Sequence, residues 1–187
     1  MEPTTKYYKE QFYIKTKSQN KISKSIILKG LENIKMHGKD VMHSQVFIRG
    51  DMAPIILGEY VIIKENVIIR PSFTKEKGKL KYIMMEIGNC VTIEASCVIQ
   101  AAKIGNNVHI GKNCIVGRNV AISDNCKILD DSVVPPDTVI PPYSVFGGKP
   151  VQFMGELTES IAMINEDLAK TYFKNFQELK QQPGDSS

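Results

Sequence analysis

Tryptophan is absent from this chain, and phenylalanine and tyrosine supply seven residues each. A core with so few rings must be filled by aliphatic side chains. Cysteine is also scarce. The four that occur, Cys90, Cys97, Cys114 and Cys126, include no CxxC pair. With no apolar leader segment at the N-terminus, the expected compartment is the cytosol, where thiols stay reduced. No apolar run approaches the ~18 residues of a membrane span. Charge of one sign is lacking too: 24 Lys and Arg against 20 Asp and Glu leave +4. That balance is too even to point to nucleic acid as a partner.

Isoleucine and valine are abundant, 24 and 14 of 187 residues, which favours strands. The length fits one domain able to bury a core without metal or disulfide staples. A six-residue period runs through the middle of the chain: Ile87, Ile93, Ile99, then one residue short to Ile104, and on through Ile110, Val116, Ile122, Ile128, Val134, Ile140 and Phe146. Ten of these eleven positions are Ile or Val, against one residue in five overall, so chance is excluded. The second position favours Gly88, Gly105, Gly111 and Gly117. The fourth reads Asn107, Asn113, Asn119, Asn125, Asp131 and Asp137, residues that tolerate positive φ at a corner. The fifth carries small residues such as Val91, Cys97, Val108, Cys114, Val120, Cys126 and Ser132. An amphipathic helix would repeat at 3.6. Short strands separated by like corners make a parallel β-solenoid in which each coil stacks like residue on like. The single slip, Ile99 to Ile104, marks an irregular corner.

Upstream the pattern continues through Met36, Met42 and Ile48, then Leu57, Ile63 and Ile69. The expected divisions are an N-terminal arm or cap over 1–21, the solenoid over 22–153 with a protruding, lysine-rich loop at 71–85, a C-terminal helix over 154–180, and a disordered polar tail over 181–187. The helix is read from Leu157, Ile161, Ile164, Leu168, Tyr172, Phe176 and Leu179, three or four apart, with Thr158 or Ser160 as cap.

The [Ile/Val]-Gly-x-Asn-[small]-x repeat resembles the hexapeptide proteins of the left-handed parallel β-helix class, and the left hand comes from that resemblance alone. Ile48-Arg49-Gly50-Asp51 and the closing Val134-Pro135-Pro136 and Gly147-Gly148-Lys149-Pro150 resemble γ-class carbonic anhydrases. A more specific likeness covers roughly 7–178. It is carried by Gly38-Lys39, Ile48-Arg49-Gly50-Asp51, Val67-Ile68-Ile69-Arg70-Pro71, Val108-His109-Ile110-Gly111-Lys112-Asn113-Cys114, Cys126-Lys127-Ile128-Leu129-Asp130 and Gly155-Glu156-Leu157. These strings resemble the dynactin subunit 5 family. The resemblance implies a non-catalytic scaffold in the pointed-end complex of dynactin, serving dynein-based transport and cargo recognition in the cytoplasm and cytoskeleton. The implied partners are a paralogous β-helix subunit (subunit 6), subunit 4, a pointed-end actin-related protein and cargo adaptors. No cofactor, nucleic acid or membrane insertion is implied.

The alternatives are a carbonic-anhydrase-like protein that lacks the zinc site and has another binding role, and a hexapeptide acyltransferase. Zinc anhydrases of this class need three His, and the matching places here hold Arg70, Ala95 and Gln100. A guanidinium does not ligate a cation, and Ala has no donor atom. Hexapeptide acyltransferases use one outward His as general base. His109 is the candidate, and the sequence shows no carboxylate to orient it. His37 and His43 are read as solvated, Cys97, Cys114 and Cys126 as small core residues, and Cys90 as a corner residue with room to be exposed. Arg49, Asp51, Arg70 and Phe73 are the candidate interface residues, with the lysine-rich loop a possible contact for an acidic surface.

Overall fold

The computed structural model describes residues 4–179. The six-residue period becomes a three-sided parallel solenoid, one strand per side per coil. One side, here the open face, stacks Ile27–Lys29, Phe47–Arg49, Ile68–Ile69, Val98–Ile99, Ile115–Val116 and Val133–Val134. A second side stacks Ile34–Gly38, Ile55–Glu59, Met85–Ile87, Lys103–Ile104, Ala121–Ile122 and Val139–Ile140. The third, the covered face, runs from Lys21–Ser23 through Val41–Met42, Ile62–Ile63, Thr92–Ile93, His109–Ile110 and Lys127–Ile128 to Ser144–Gly147. It is extended antiparallel by Tyr13–Lys15 at one end and Gln152–Glu156 at the other.

Side chains alternate across these strands, so each Ile or Val of the period points inward. Met42, Ile48, Leu57, Ile63, Ile69, Ile93, Ile99, Ile110 and Ile128 have no solvent exposure. Each contributes about 2 kcal/mol of transfer free energy. The small fifth position fills the corner: Cys97, Cys114 and Cys126 are buried, and their thiols donate to Gly111 O, Leu129 O and Pro141 O at 3.0–3.1 Å.

The glycines of the second position have a local cause. Asn89 Oδ1, Asn106 Oδ1 and Asp124 Oδ1 each accept the N–H of the coil before, from Glu59, Asn89 and Asn106, at 2.9, 2.8 and 2.7 Å. A Cβ on Gly105 would meet Asp124 Oδ1 at 2.3 Å, so only glycine leaves room for this ladder. At the fourth position Asn107, Asn113, Asn119, Asn125, Asp131 and Asp137 all hold positive φ, as their residue types suggest.

The slip falls where expected. Between Ile99 and Ile104 no residue takes the left-handed conformation that Ser96, Asn107, Asn113 and Asn119 hold at the neighbouring corners. At this short corner Ser72, from the coil before, accepts the N–H of Asn119, from the coil after, at 2.7 Å. Ser72 is fully buried. The segment read as a protruding loop is ordered beyond Ser72 as a β-hairpin, Phe73–Glu76 against Lys79–Tyr82.

The C-terminal helix is shorter than its apolar spacing suggested. It spans Ile161–Asn175, here α1, between the strands Gln152–Glu156 and Phe176–Glu178. Neither Thr158 nor Ser160 caps the helix; their hydroxyls bond each other at 2.7 Å. The stripe also rotates: Ile164 and Leu168 are exposed, whereas Ala169 and Phe176 are buried. The reason lies in the N-terminal arm, which is not a loose cap. Lys6–Tyr8 pairs in parallel with Phe176–Glu178, and Tyr8 stacks on Phe176 at 4.8 Å. Lys21 Nζ donates to the carbonyls of Phe173 (2.7 Å) and Phe176, closing the C-terminal end of the helix where a cation is favoured. The two terminal segments thus lie together on the covered face, above Val41 and Ile62. The expected tail at 181–187 lies outside the described residues.

Candidate functional site

On the open face the residue after each inward aliphatic leads into the corner. In the first three coils that residue is a cation: Lys29, Arg49 and Arg70. Lys29 and Arg49 are paired in register. Arg49 Nε and Nη2 donate to Asp51 Oδ1 and Oδ2 at 2.8 and 2.9 Å, a bidentate fork. That hydrogen bonding holds the Asp51 carboxyl below the usual carboxylate range. The guanidinium also lies 5.9 Å from the Phe47 ring, with Lys29 Nζ 5.8 Å from the same ring. Arg70 is exposed and, among the described residues, makes no ion pair. Phe73 opens the hairpin, edge-on to Tyr82 at 6.1 Å, with the Arg118 guanidinium 5.3 Å from its ring. Arg49 and Asp51 are therefore joined, with Arg70 one coil further on and Phe73 at the foot of the hairpin.

Between these groups runs a feature that reading the inward positions misses. The outward residues of the open face are Ile27, Phe47, Ile68, Val98, Ile115 and Val133, paired in register through all six strands. Ile27, Ile68 and Ile115 are exposed. On the second side the same positions read Lys35, Ile56, Glu86, Lys103, Ala121 and Val139, broken by charge. The signal was available in every third hexapeptide, where an apolar residue precedes the inward one. An apolar stripe edged by cations has the chemistry of a binding surface.

The three zinc places do not converge on a metal donor set. Arg70 follows the open-face strand Ile68–Ile69, Ala95 lies one coil later at the corner between Thr92–Ile93 and Val98–Ile99, and Gln100 follows that last strand. Among the described residues no three His, Cys, Asp or Glu cluster to hold a metal.

Two histidines differ from their sequence reading. His109 does have a carboxylate beside it: Glu94 Oε1 is 3.4 Å from Nε2, and this contact lowers the Glu94 carboxyl. The pair opens on a cleft of about 200 Å³ beneath α1, with Lys64, Thr92, Asn165 and Tyr172. A base oriented by a carboxylate can accept a proton. His43 is buried rather than solvated. Tyr172 OH is 2.7 Å from Nε2, and Glu65 Oε1 is 3.2 Å from Nδ1. The network fits Nδ1–H donating to Glu65 and Nε2 accepting from Tyr172. Burial drives His43 down to about 4 against the pull of Glu65. His37 is exposed, with Nδ1 2.7 Å from Leu57 O. Cys90 is buried beneath Ala169, not exposed, and burial raises its thiol pKa.

Asp40, unremarkable in the sequence, is also fully buried. It accepts Val61 N–H at 2.8 Å through Oδ1, while Oδ2 has no partner among the described residues. Burial pushes its carboxyl up to about 8.

Comparison with known proteins places this geometry. The family model described as Dynactin subunit 5 matches residues 1–182. The dynactin subunit 5 of Dictyostelium discoideum is 45% identical over 106 residues, 57% of this chain and 54% of that protein. The match therefore spans about half the length of the curated relative. Among solved structures, a hexapeptide transferase family protein from Anaplasma phagocytophilum has 20% identity and a TM-score of 0.59, over 83% of this chain and 89% of that one. A mutant of AntD, an N-acyltransferase from Bacillus cereus in complex with dTDP and coenzyme A, has 15% identity and a TM-score of 0.65, over 81% and 88%. At such identities these structures show the fold alone: the left-handed parallel β-helix.

Proposed function

Because the chain belongs to the dynactin subunit 5 family, we propose that it is a non-catalytic scaffold subunit of the dynactin pointed-end complex, supporting dynein-based transport and cargo recognition. The family match over 1–182 carries this reading. The residue types at 70, 95 and 100 support it, since Arg, Ala and Gln do not make the three-imidazole set of an anhydrase. Its partners are a paralogous β-helix subunit (subunit 6), subunit 4, the pointed-end actin-related protein and cargo adaptors. Arg49, Asp51, Arg70 and Phe73 belong to the contact region, and the chain works in the cytoplasm on the cytoskeleton. No helix among the described residues is long and apolar enough to cross a membrane.

The test is purification of the tagged chain, expressed at its native level, from its own cells. The expected result is recovery in one large assembly with other dynactin subunits in fixed ratio. Recovery as a free homotrimer that carries stoichiometric zinc and hydrates CO₂ would overturn the reading.

A further inference from the structure

We infer that the hairpin formed by Phe73–Glu76 and Lys79–Tyr82 is a peripheral membrane contact, a cationic finger that enters the headgroup layer of an anionic lipid surface tip first. This contact goes beyond the scaffold reading and does not rest on it, because the chain's own hairpin supplies all of it.

The hairpin concentrates charge. Its ten residues hold Lys75, Lys77, Lys79 and Lys81 against Glu76, so three of the chain's four net positive charges lie there and the rest of the chain nets +1. Lys75, Lys77 and Lys79 have no ion pair among the described residues, and Lys81 holds Glu76 at 3.4 Å. The tip stands ~10 Å beyond Phe73, further than the ~8 Å over which physiological salt screens charge. Acidic groups of the solenoid therefore do not cancel its field.

The foot is anchored and the finger is bare. Ile83 N–H donates to Ser72 O at 2.8 Å, and Phe73 meets Tyr82 edge-on. Above that foot every residue from Lys75 to Tyr82 is exposed. Lys77 and Gly78 close the turn with φ of +47° and +78°, as a two-residue hairpin turn prefers. The register puts Lys75 and Leu80 on one face and Lys79 and Lys81 on the other, with Lys77 at the tip.

A lysine-rich hairpin is ordinarily a solvated loop, and two features set this one apart. Leu80 is exposed between Lys79 and Lys81. Lysine stems lie along a headgroup layer with their ammoniums among the phosphates, and a leucine beside them reaches the acyl boundary. The cations also surround the tip rather than line one face. An acidic strand or helix laid along one face would miss the lysines of the other, whereas a headgroup layer closes around all four. Four lysines and one leucine make a reversible contact, not an anchor.

The experiment sediments the full chain with phosphatidylcholine vesicles, alone or with one-third phosphatidylserine, at physiological ionic strength. Wild type should bind the mixed vesicles and not the neutral ones, and high salt should release it. Lys75→Glu, Lys77→Glu, Lys79→Glu and Lys81→Glu combined should weaken binding at least tenfold, since each lysine near such a surface contributes about fivefold. The control combines Lys35→Glu, Lys103→Glu, Lys112→Glu and Lys127→Glu, four exposed lysines of the solenoid. It changes net charge equally and should lose no more than about threefold. All four native cysteines are buried, so Leu80→Cys offers one accessible thiol for a polarity-sensitive dye. That dye should shift to the blue on mixed vesicles, a reading independent of how well the reversed hairpin folds. No binding by wild type, equal losses in the two reversals, or an unmoved dye would overturn the contact. Binding of a soluble poly-glutamate peptide without binding to vesicles would also overturn it, in favour of an acidic protein segment. The isolated chain is used throughout, so failure here leaves the scaffold reading as it stands.

Discussion

Ile62 and Ile68 belong to the same coil, point outward from adjacent sides, and have opposite fates. Ile62 is 2% exposed beneath Ala169 of α1, and Ile68 is 36% exposed on the open face. Among the described residues, the chain covers one apolar flank with its own terminal segments and leaves the other bare. The solenoid repeat does not distinguish them, because it specifies what points inward. What differs is that Tyr8, Tyr172 and Phe176 converge on one flank and no segment among the described residues crosses the other. A covered flank contributes to folding, whereas a bare one is available for association.

The largest expected effect separates the two residues directly. Ile62→Ala should destabilise the isolated chain by about 2–5 kcal/mol through lost transfer energy and a cavity under α1. Ile68→Ala should change stability by no more than about 1 kcal/mol, since its side chain already meets water. Equal shifts in urea midpoints would show that the helix does not pack as described.

Acid sharpens the contrast, because the buried histidine lies on the covered flank. The folded value of His43 is near 4 and its ordinary value 6.5, so below about 6.5 the unfolded chain binds more protons. Stability is then present above that pH and lost as pH falls toward 4, by up to about 3 kcal/mol. Urea titrations at pH 7 and pH 5 should show about 2 kcal/mol of this loss, and His43→Gln should remove it. A variant with the wild-type pH slope would place the acid sensitivity elsewhere.

Asp40 has the opposite sign. Its folded value of about 8 lies above the ordinary 3.8, so the stability it supports is full below about 4 and is lost as pH rises toward 8. Asp40→Asn keeps an oxygen for Val61 N–H without a charge to bury. It should raise stability by about 1–2 kcal/mol at pH 8, with the gain fading toward pH 4. Destabilisation at pH 8 would mean that Oδ2 has a partner in solution. Smaller still, Ser72→Ala should cost about 1 kcal/mol by leaving Asn119 N–H without its acceptor at the short corner. Unchanged melting would show that the corner closes without it.

The inward half of the fold was legible because the repeat is strict: Ile93, Ile110 and Ile128 stack where the period puts them. The slip at Ile99–Ile104 also read correctly, since one missing residue has one place to be absorbed. Three things were not legible. The pairing of Lys6–Tyr8 with Phe176–Glu178 joins segments about 170 residues apart, and no local period records it. The 3.6-residue spacing through Leu168 indicated a helix but not which side meets the solenoid, because aromatic residues beyond its end fixed the rotation. Glu94 reaches His109 only because a solenoid brings residues 15 apart onto adjacent coils. The candidate site was half visible: Arg49 and Asp51 lie in one short string, but the apolar stripe they edge is spread over 107 residues and emerges only on stacking.

The most direct test measures how open each flank is to solvent. All four native cysteines are buried, so a single introduced thiol can be followed. Ile62→Cys and Ile68→Cys are each labelled with a maleimide, first in the isolated chain and then in the assembly purified from cells. The account predicts slow labelling at position 62 in both states. At position 68 it predicts fast labelling in the isolated chain and at least tenfold slower labelling in the assembly. Equally fast labelling at position 68 in both states would contradict it.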